Sequence, residues 1–172
     1  MGEMSGDFVP ECFRKDVLVL GCGNVLFGDD GFGPAVIERL RSDGRLPADA
    51  CAMDAGTGVR EILFDLVLGG PRPRKIVIVD GVDAGRKPGE VFRIAAGELP
   101  ANKLDDFSLH QMPTSNLLKE LEEHCGVSVV IVAGQVERIP EEVSMGLSPA
   151  MAGSVPEACE IVVREASGGL EE

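Results

Sequence analysis

Three short, almost uninterrupted apolar runs govern what this chain can fold into: residues 17–20, 76–79 and 127–133. A strand with one face in water alternates apolar and polar residues. A run without that alternation suits a strand covered on both faces, as in a parallel sheet. Between the runs, apolar residues recur at helical spacing. A helix is expected from Gly31 to Arg41, with Asp29 or Asp30 as its cap, Pro34 in its first turn and Gly44 just past its end. A second is expected over 59–68, stopping at Gly69-Gly70. A third covers 113–124, between a Pro-Thr-Ser-Asn start and Gly126. The last covers 149–165, with a kink or break at Pro156. Weaker strands are read at 50–54 and 90–94, and 75–80 is the clearest buried strand.

Strands alternating with helices imply a mostly parallel sheet of about five strands with helices on both faces. The 172 residues suit one domain with a sizeable core. No internal repeat or linker divides it, and residues 1–15 read as an N-terminal extension docked through Phe8, Val9 and Phe13. Trp and Tyr are absent, so the core must be aliphatic. The net charge of −13 argues against nucleic acid, whose binding rests on phosphate neutralisation by Lys and Arg. The five cysteines are odd in number and form no C-x-x-C pair. Reduced cytosolic thiols are therefore expected, not disulfides or structural zinc. No apolar run approaches the roughly 18 residues that span a bilayer, so a cytoplasmic protein with no membrane partner is expected.

In such sheets, sites form beyond the carboxyl ends of the strands. After the first run comes Gly21-Cys-Gly23-Asn24-Val-Leu26-Phe-Gly-Asp29-Asp30-Gly31-Phe-Gly33. A dinucleotide fingerprint would need another glycine where Leu26 stands, so nucleotide binding is only a weak alternative. After the second strand comes Asp54-Ala-Gly-Thr57, and Asp80 closes the third. A charge emerging from an apolar strand needs a partner or a metal. Of the two histidines, His124 ends a polar helix and suits its dipole. His110 stands in an irregular segment before a helix. Asp30, Asp80 and His110 can converge at one sheet edge, where two carboxylates and an imidazole suit a borderline cation such as nickel or zinc. No Gly-x-Ser-x-Gly elbow is present. Cys22 reads as a small packed residue, not a nucleophile.

These motifs resemble the hydrogenase maturation proteases, endopeptidases that trim a C-terminal extension from the large subunit of nickel–iron hydrogenases. The likeness runs from about Asp16 to the final helix. It rests on the glycine- and aspartate-rich motif from Gly21 to Gly33, Asp54-x-Gly56-Thr57, Asp80, His110-Gln111 and Gly146-Leu147-Ser148-Pro149. It implies a three-layer α/β/α sandwich, with residues 16–172 as a single protease domain and no nucleotide. It also implies an aspartyl-type endopeptidase that recognises nickel already bound in the precursor, through Asp30, Asp80 and His110. These three would be both metal-binding and catalytic. Asn24, Asp29, Asp54, Thr57 and Gln111 would position the ligands or the substrate. The Met-Pro-Thr-Ser stretch after Gln111 is similar to the branch serving deazaflavin-reducing hydrogenases. A non-cleaving, nickel-dependent checkpoint for the large subunit is the alternative, because no nucleophile is spelled out.

Overall fold

The computed structural model describes residues 10–98 and 114–168. Nine regular elements follow in chain order: β1 (Val17–Cys22), α1 (Phe32–Asp43), β2 (Ala50–Gly56), α2 (Val59–Leu68), β3 (Lys75–Val82), β4 (Val91–Ala95), α3 (Thr114–His124), β5 (Ser128–Gln135) and α4 (Pro149–Ser167). The five strands lie in the order β2-β1-β3-β5-β4. All neighbours are parallel except the edge strand β4, which runs antiparallel to β5.

The apolar runs become the three central strands, and side-chain parity assigns each residue to a layer. Leu18, Leu20, Ile76, Ile78, Val129 and Ile131 face Leu63 and Leu66 of α2 and Leu118 and Leu121 of α3. Val17, Val19, Val77, Val79, Val130 and Val132 face Phe32, Val36, Ile37 and Leu40 of α1 and Met151, Ala158 and Val162 of α4. The result is an α/β/α sandwich with two aliphatic cores, one on each face of the sheet. Each fully buried Leu, Ile or Phe contributes roughly 1.5–3 kcal/mol.

Helix ends follow the local chemistry in part. Gly44 closes α1 in the left-handed conformation (φ 61°), its N–H donating to the Leu40 carbonyl. Ser148 caps α4 by accepting from the Met151 N–H, with Pro149 in the first turn. Three expectations need correction. Asp29 and Asp30 do not cap α1; Gly31 holds that position without a side-chain bond, and both aspartates lie in a short 3-10 turn, Gly28–Gly31. Helix α4 continues through Pro156. Proline there forfeits one backbone bond, but the buried face on either side, Met151 before and Ala158, Cys159 and Val162 after, packs both halves into the same core, so the helix does not break there. β3 also runs two residues past Asp80, pairing Gly81 with Gly134 and Val82 with Gln135.

The thiols differ from expectation as well. Cys12, in the 3-10 turn Glu11–Arg14, is joined to Cys51 of edge strand β2, their Cα atoms 5.3 Å apart. Spacing along the chain carried no signal for a pair 39 residues apart. Docking of the amino-terminal turn on β2, with Phe13 entering the core, brings them together. Cys22, Cys125 and Cys159 are free thiols.

Candidate functional site

β1 connects outward to β2 on one side, while β3 lies on its other side. The carboxyl ends of β1 and β3 therefore flank the switch point of the sheet, where open α/β folds leave a crevice. Glycine lets the chain crowd this point. A side chain on Gly33 would meet the Val79 carbonyl at 2.5 Å, and one on Gly21 would meet the Gly33 carbonyl at 2.7 Å. Gly23 has φ 128°, and a Cβ there would collide with the Asp30 backbone carbonyl. The Gly21-x-Gly23 and Gly31-x-Gly33 pairs thus seat the start of α1 directly on the sheet. They serve close backbone packing, which explains why they resemble a dinucleotide fingerprint without its spacing.

The two adjacent aspartates, each 1% exposed, are used differently. Asp29 faces the loop after β5. It accepts from the Ser148 N–H (2.7 Å), the Glu137 N–H (2.9 Å), the Ser148 hydroxyl (2.9 Å) and the Arg138 N–H (3.4 Å). It is a clamp that ties the 3-10 turn to the cap of α4. Asp30 turns toward the switch point, where its Oδ2 accepts from the Asn24 N–H at 3.0 Å. The Asn24 side chain in turn accepts from the Leu26 N–H, shaping the loop that precedes Asp30.

Asp80 shares that end of the sheet with Asp30. Its carboxyl is raised well above the ordinary carboxylate value, first by burial and then by the Asp30 charge, against a single lowering bond from the Gly81 N–H. Its Oδ1 is shielded from solvent and has no hydrogen-bond partner among the described residues. A shielded acceptor beside a second carboxylate is costly unless a proton or a cation joins it. Cys22 lies within the same field. Burial, then Asp80, Asp54 and Asp30, push its thiol well up, so it is held protonated and is no thiolate nucleophile.

Asp54, at the end of β2, is exposed, and its Oδ1 accepts from the Gly56 N–H. Thr57 is exposed in the turn that follows. His110 and Gln111 lie outside the described residues. Among the described residues no three His, Cys, Asp or Glu side chains stand together as a metal site. Asp30 and Asp80 offer two oxygen donors, and the chemistry of that pair fits a divalent cation as a partial donor set.

The supporting roles of two residues, Gln135 and Ser148, escaped the sequence reading. Gln135, 3% exposed, accepts from the Ala84 and Arg86 N–H groups and donates to Asp83 and the Val136 carbonyl. It pins the loop leaving β3, just beyond Asp80. Ser148 serves both Asp29 and Met151. Nothing local announced the Asp29 bond across 119 residues.

Residues 34–165 match the family model for the hydrogenase maturation protease. A Methanocaldococcus jannaschii protein that carries the name hydrogenase maturation protease is 37% identical over 153 residues, 88% of this chain and 97% of that one. The coenzyme F420 hydrogenase subunit delta of Methanothermobacter thermautotrophicus is 36% identical over 158 residues, 89% of this chain and 96% of its own. Among solved structures, the hydrogenase maturating endopeptidase HybD from Escherichia coli superposes with a TM-score of 0.70. That match has 26% identity and covers 88% of this chain and 93% of that one.

Proposed function

Because this chain belongs to the hydrogenase maturation protease family, and so is a peptidase, we propose that it removes the C-terminal extension of a nickel-loaded hydrogenase large-subunit precursor. The nickel arrives with the substrate, and Asp30, Asp80 and His110 meet it. The carrying observation is the Asp30–Asp80 pair: two carboxylates at the switch point, one with a shielded oxygen that no described residue bonds. Among borderline divalent cations, nickel suits mixed oxygen and imidazole donors.

The chain's own groups do the following. Ionised Asp30 and Asp80 and neutral His110 orient the metal-loaded end of the precursor. A carboxylate of the pair takes a proton from the water that attacks the scissile carbonyl carbon. As the C–N bond breaks, that proton passes to the leaving amine. The substrate's metal supplies Lewis-acid polarisation when present. Asn24 holds Asp30 in place through its N–H, and Asp54, Thr57 and Gln111 take the part of positioning the ligands or the substrate. Asp29 supports this reading as a clamp on the surrounding loops.

The likeness to the F420 hydrogenase delta subunit favours a substrate of the deazaflavin-reducing hydrogenase branch. No described helix is long and apolar enough to cross a membrane, and we read the chain as acting in the cytoplasm. The test is to incubate nickel-loaded precursor with wild type, Asp30→Asn, Asp80→Asn and His110→Ala, and to weigh the precursor's C-terminus by mass spectrometry. Wild type shortens the chain and the three variants leave it whole. An intact precursor with bound wild type would make the protein a nickel-dependent checkpoint. Equal cleavage by His110→Ala would remove that residue from the donor set.

A further inference from the structure

The loop from β1 to Asp30 carries Val25 and Leu26, exposed by 45% and 40%. The loop between β5 and α4 carries Val143 and Met145, exposed by 66% and 69%. Backbone bonds splice the two loops: the Ser144 N–H donates to the Leu26 carbonyl and the Gly28 N–H to the Ser144 carbonyl, both at 2.8 Å. Asp29 holds both flanks of the second loop, at Glu137 and at Ser148. Four large apolar side chains therefore sit on a braced platform instead of scattering over mobile tips. Soluble chains seldom expose such clusters without a partner.

Beside the platform runs a groove of about 500 Å3, lined by Val25, Pro34, Ile37, Glu38, Arg41 and Met145. Asp54 also lines it. Arg41 donates one guanidinium N–H to the Ala52 carbonyl, at 2.9 Å, and keeps its positive charge. Glu38 and Asp54 bring two negative charges against that one, and none of the three forms an ion pair among the described residues, so the groove is negative by one charge. The groove disfavours an acidic occupant, a second copy of this −13 chain included.

We infer that this platform and groove seat an extended, apolar and non-acidic segment of the precursor polypeptide flanking the bond to be cut. The inference rests on the proposed protease reading. Leu26 is four residues from Asp30 on one loop, so a chain held at Asp30 crosses the platform within a few residues at about 3.3 Å each. A groove of this volume takes several side chains. Its contacts touch no reacting atom, and contacts kept equally in the ground state and the transition state set KM and leave kcat alone.

The experiment measures cleavage kinetics on nickel-loaded precursor for wild type, Leu26→Asp, Met145→Asp and the pair combined. Milder Leu26→Ser and Met145→Ser variants are included, and circular dichroism melts check folding. Phe64→Asp and Leu68→Asp, exposed apolar positions on α2, serve as controls. The combined variant raises KM by about tenfold or more with kcat within about twofold, and the controls match wild type. Unchanged KM in the combined variant overturns the inference, as does a loss confined to kcat. Self-association of wild type that the variants abolish overturns it too, and assigns the platform to a second copy. Should wild type bind the precursor without cutting it, the protease reading fails alone. Calorimetric affinity for the precursor then decides the platform: a tenfold loss in the combined variant supports it, and equal affinity overturns it.

Discussion

Asp29 and Asp30 are neighbours, equally buried, and identical in chemistry. The structure nevertheless predicts opposite consequences for Asp29→Asn and Asp30→Asn. Asp29 uses both carboxylate oxygens: Oδ1 takes the Ser148 N–H, and Oδ2 takes the Glu137 and Arg138 N–H groups and the Ser148 hydroxyl. Asparagine keeps the shape but turns one oxygen into an NH2 group. Whichever way it lies, a donor faces a donor in a buried site. Charge-assisted bonds are worth about 1.5–3 kcal/mol, and a stranded buried donor costs about 1–3 kcal/mol. Asp29→Asn should therefore cost roughly 2–4 kcal/mol, which for a chain of this length is roughly 5–15 °C in melting temperature. Asp30 accepts from the Asn24 N–H, a bond that an asparagine oxygen can keep, and its charge burdens Asp80. Asp30→Asn should melt within about 2 °C of wild type or above it, and should abolish cleavage. Far-ultraviolet circular dichroism is the assay, because the chain has neither Trp nor Tyr for a fluorescence signal. A normal melt for Asp29→Asn, or equal destabilisation by both variants, would refute the division of labour.

Other consequences can be checked alongside. Asp80 has a raised carboxyl in the folded state, from burial and then from Asp30, so above the ordinary carboxylate value of 3.8 the fold holds a proton that the unfolded chain has released. Stability should fall as pH rises through that window, while nickel-dependent cleavage, which needs the ionised form, should rise. Melts of wild type and Asp80→Asn across pH should show the fall only in wild type. Glu165 is the converse. Burial alone would raise it, but bonds and charge from Lys75 and Arg93 outweigh burial and hold it below its usual value. Its contribution is present above the ordinary carboxylate range and is lost as pH falls through the lowered value, so Glu165→Gln should lessen the acid sensitivity of the melt. Joining Cys12 to Cys51 closes a loop of 39 residues, worth up to ~4 kcal/mol of unfolded-state entropy. Reductant or Cys51→Ser should lower the melting temperature by roughly 8–16 °C, and alkylation mass spectrometry should find both thiols blocked before reduction. Unchanged melts with freely alkylated thiols would discard the staple.

Much of this architecture was legible one residue at a time. The unbroken apolar runs named the central strands, because a strand buried on both faces has no place for alternation. Gly44 and Pro149 marked helix ends, because left-handed backbone and a first helical turn without a needed N–H are local demands met by particular residues. Attention to the carboxyl ends of the strands followed from the alternation of strands and helices, and with it the interest in Asp30 and Asp80.

What the linear chain left open was every decision made by a distant partner. Asp29 and Asp30 read alike until Glu137 and Ser148, more than a hundred residues away, claimed one of them. Cys12 found Cys51 only when the amino-terminal turn packed on the edge strand. β3 outran its apolar run because Gly81 and Gly134, side by side, make room there for Phe32 and the Asp29 backbone. Pattern and propensity are short-range, so the sequence by itself determined the layers, the central strands and which acids could matter. Hydrogen bonds and close packing between remote segments are not written in any local pattern. The tertiary structure alone decided which carboxylate is a clamp, which one faces the other at the switch point, and where an apolar platform lies beside them.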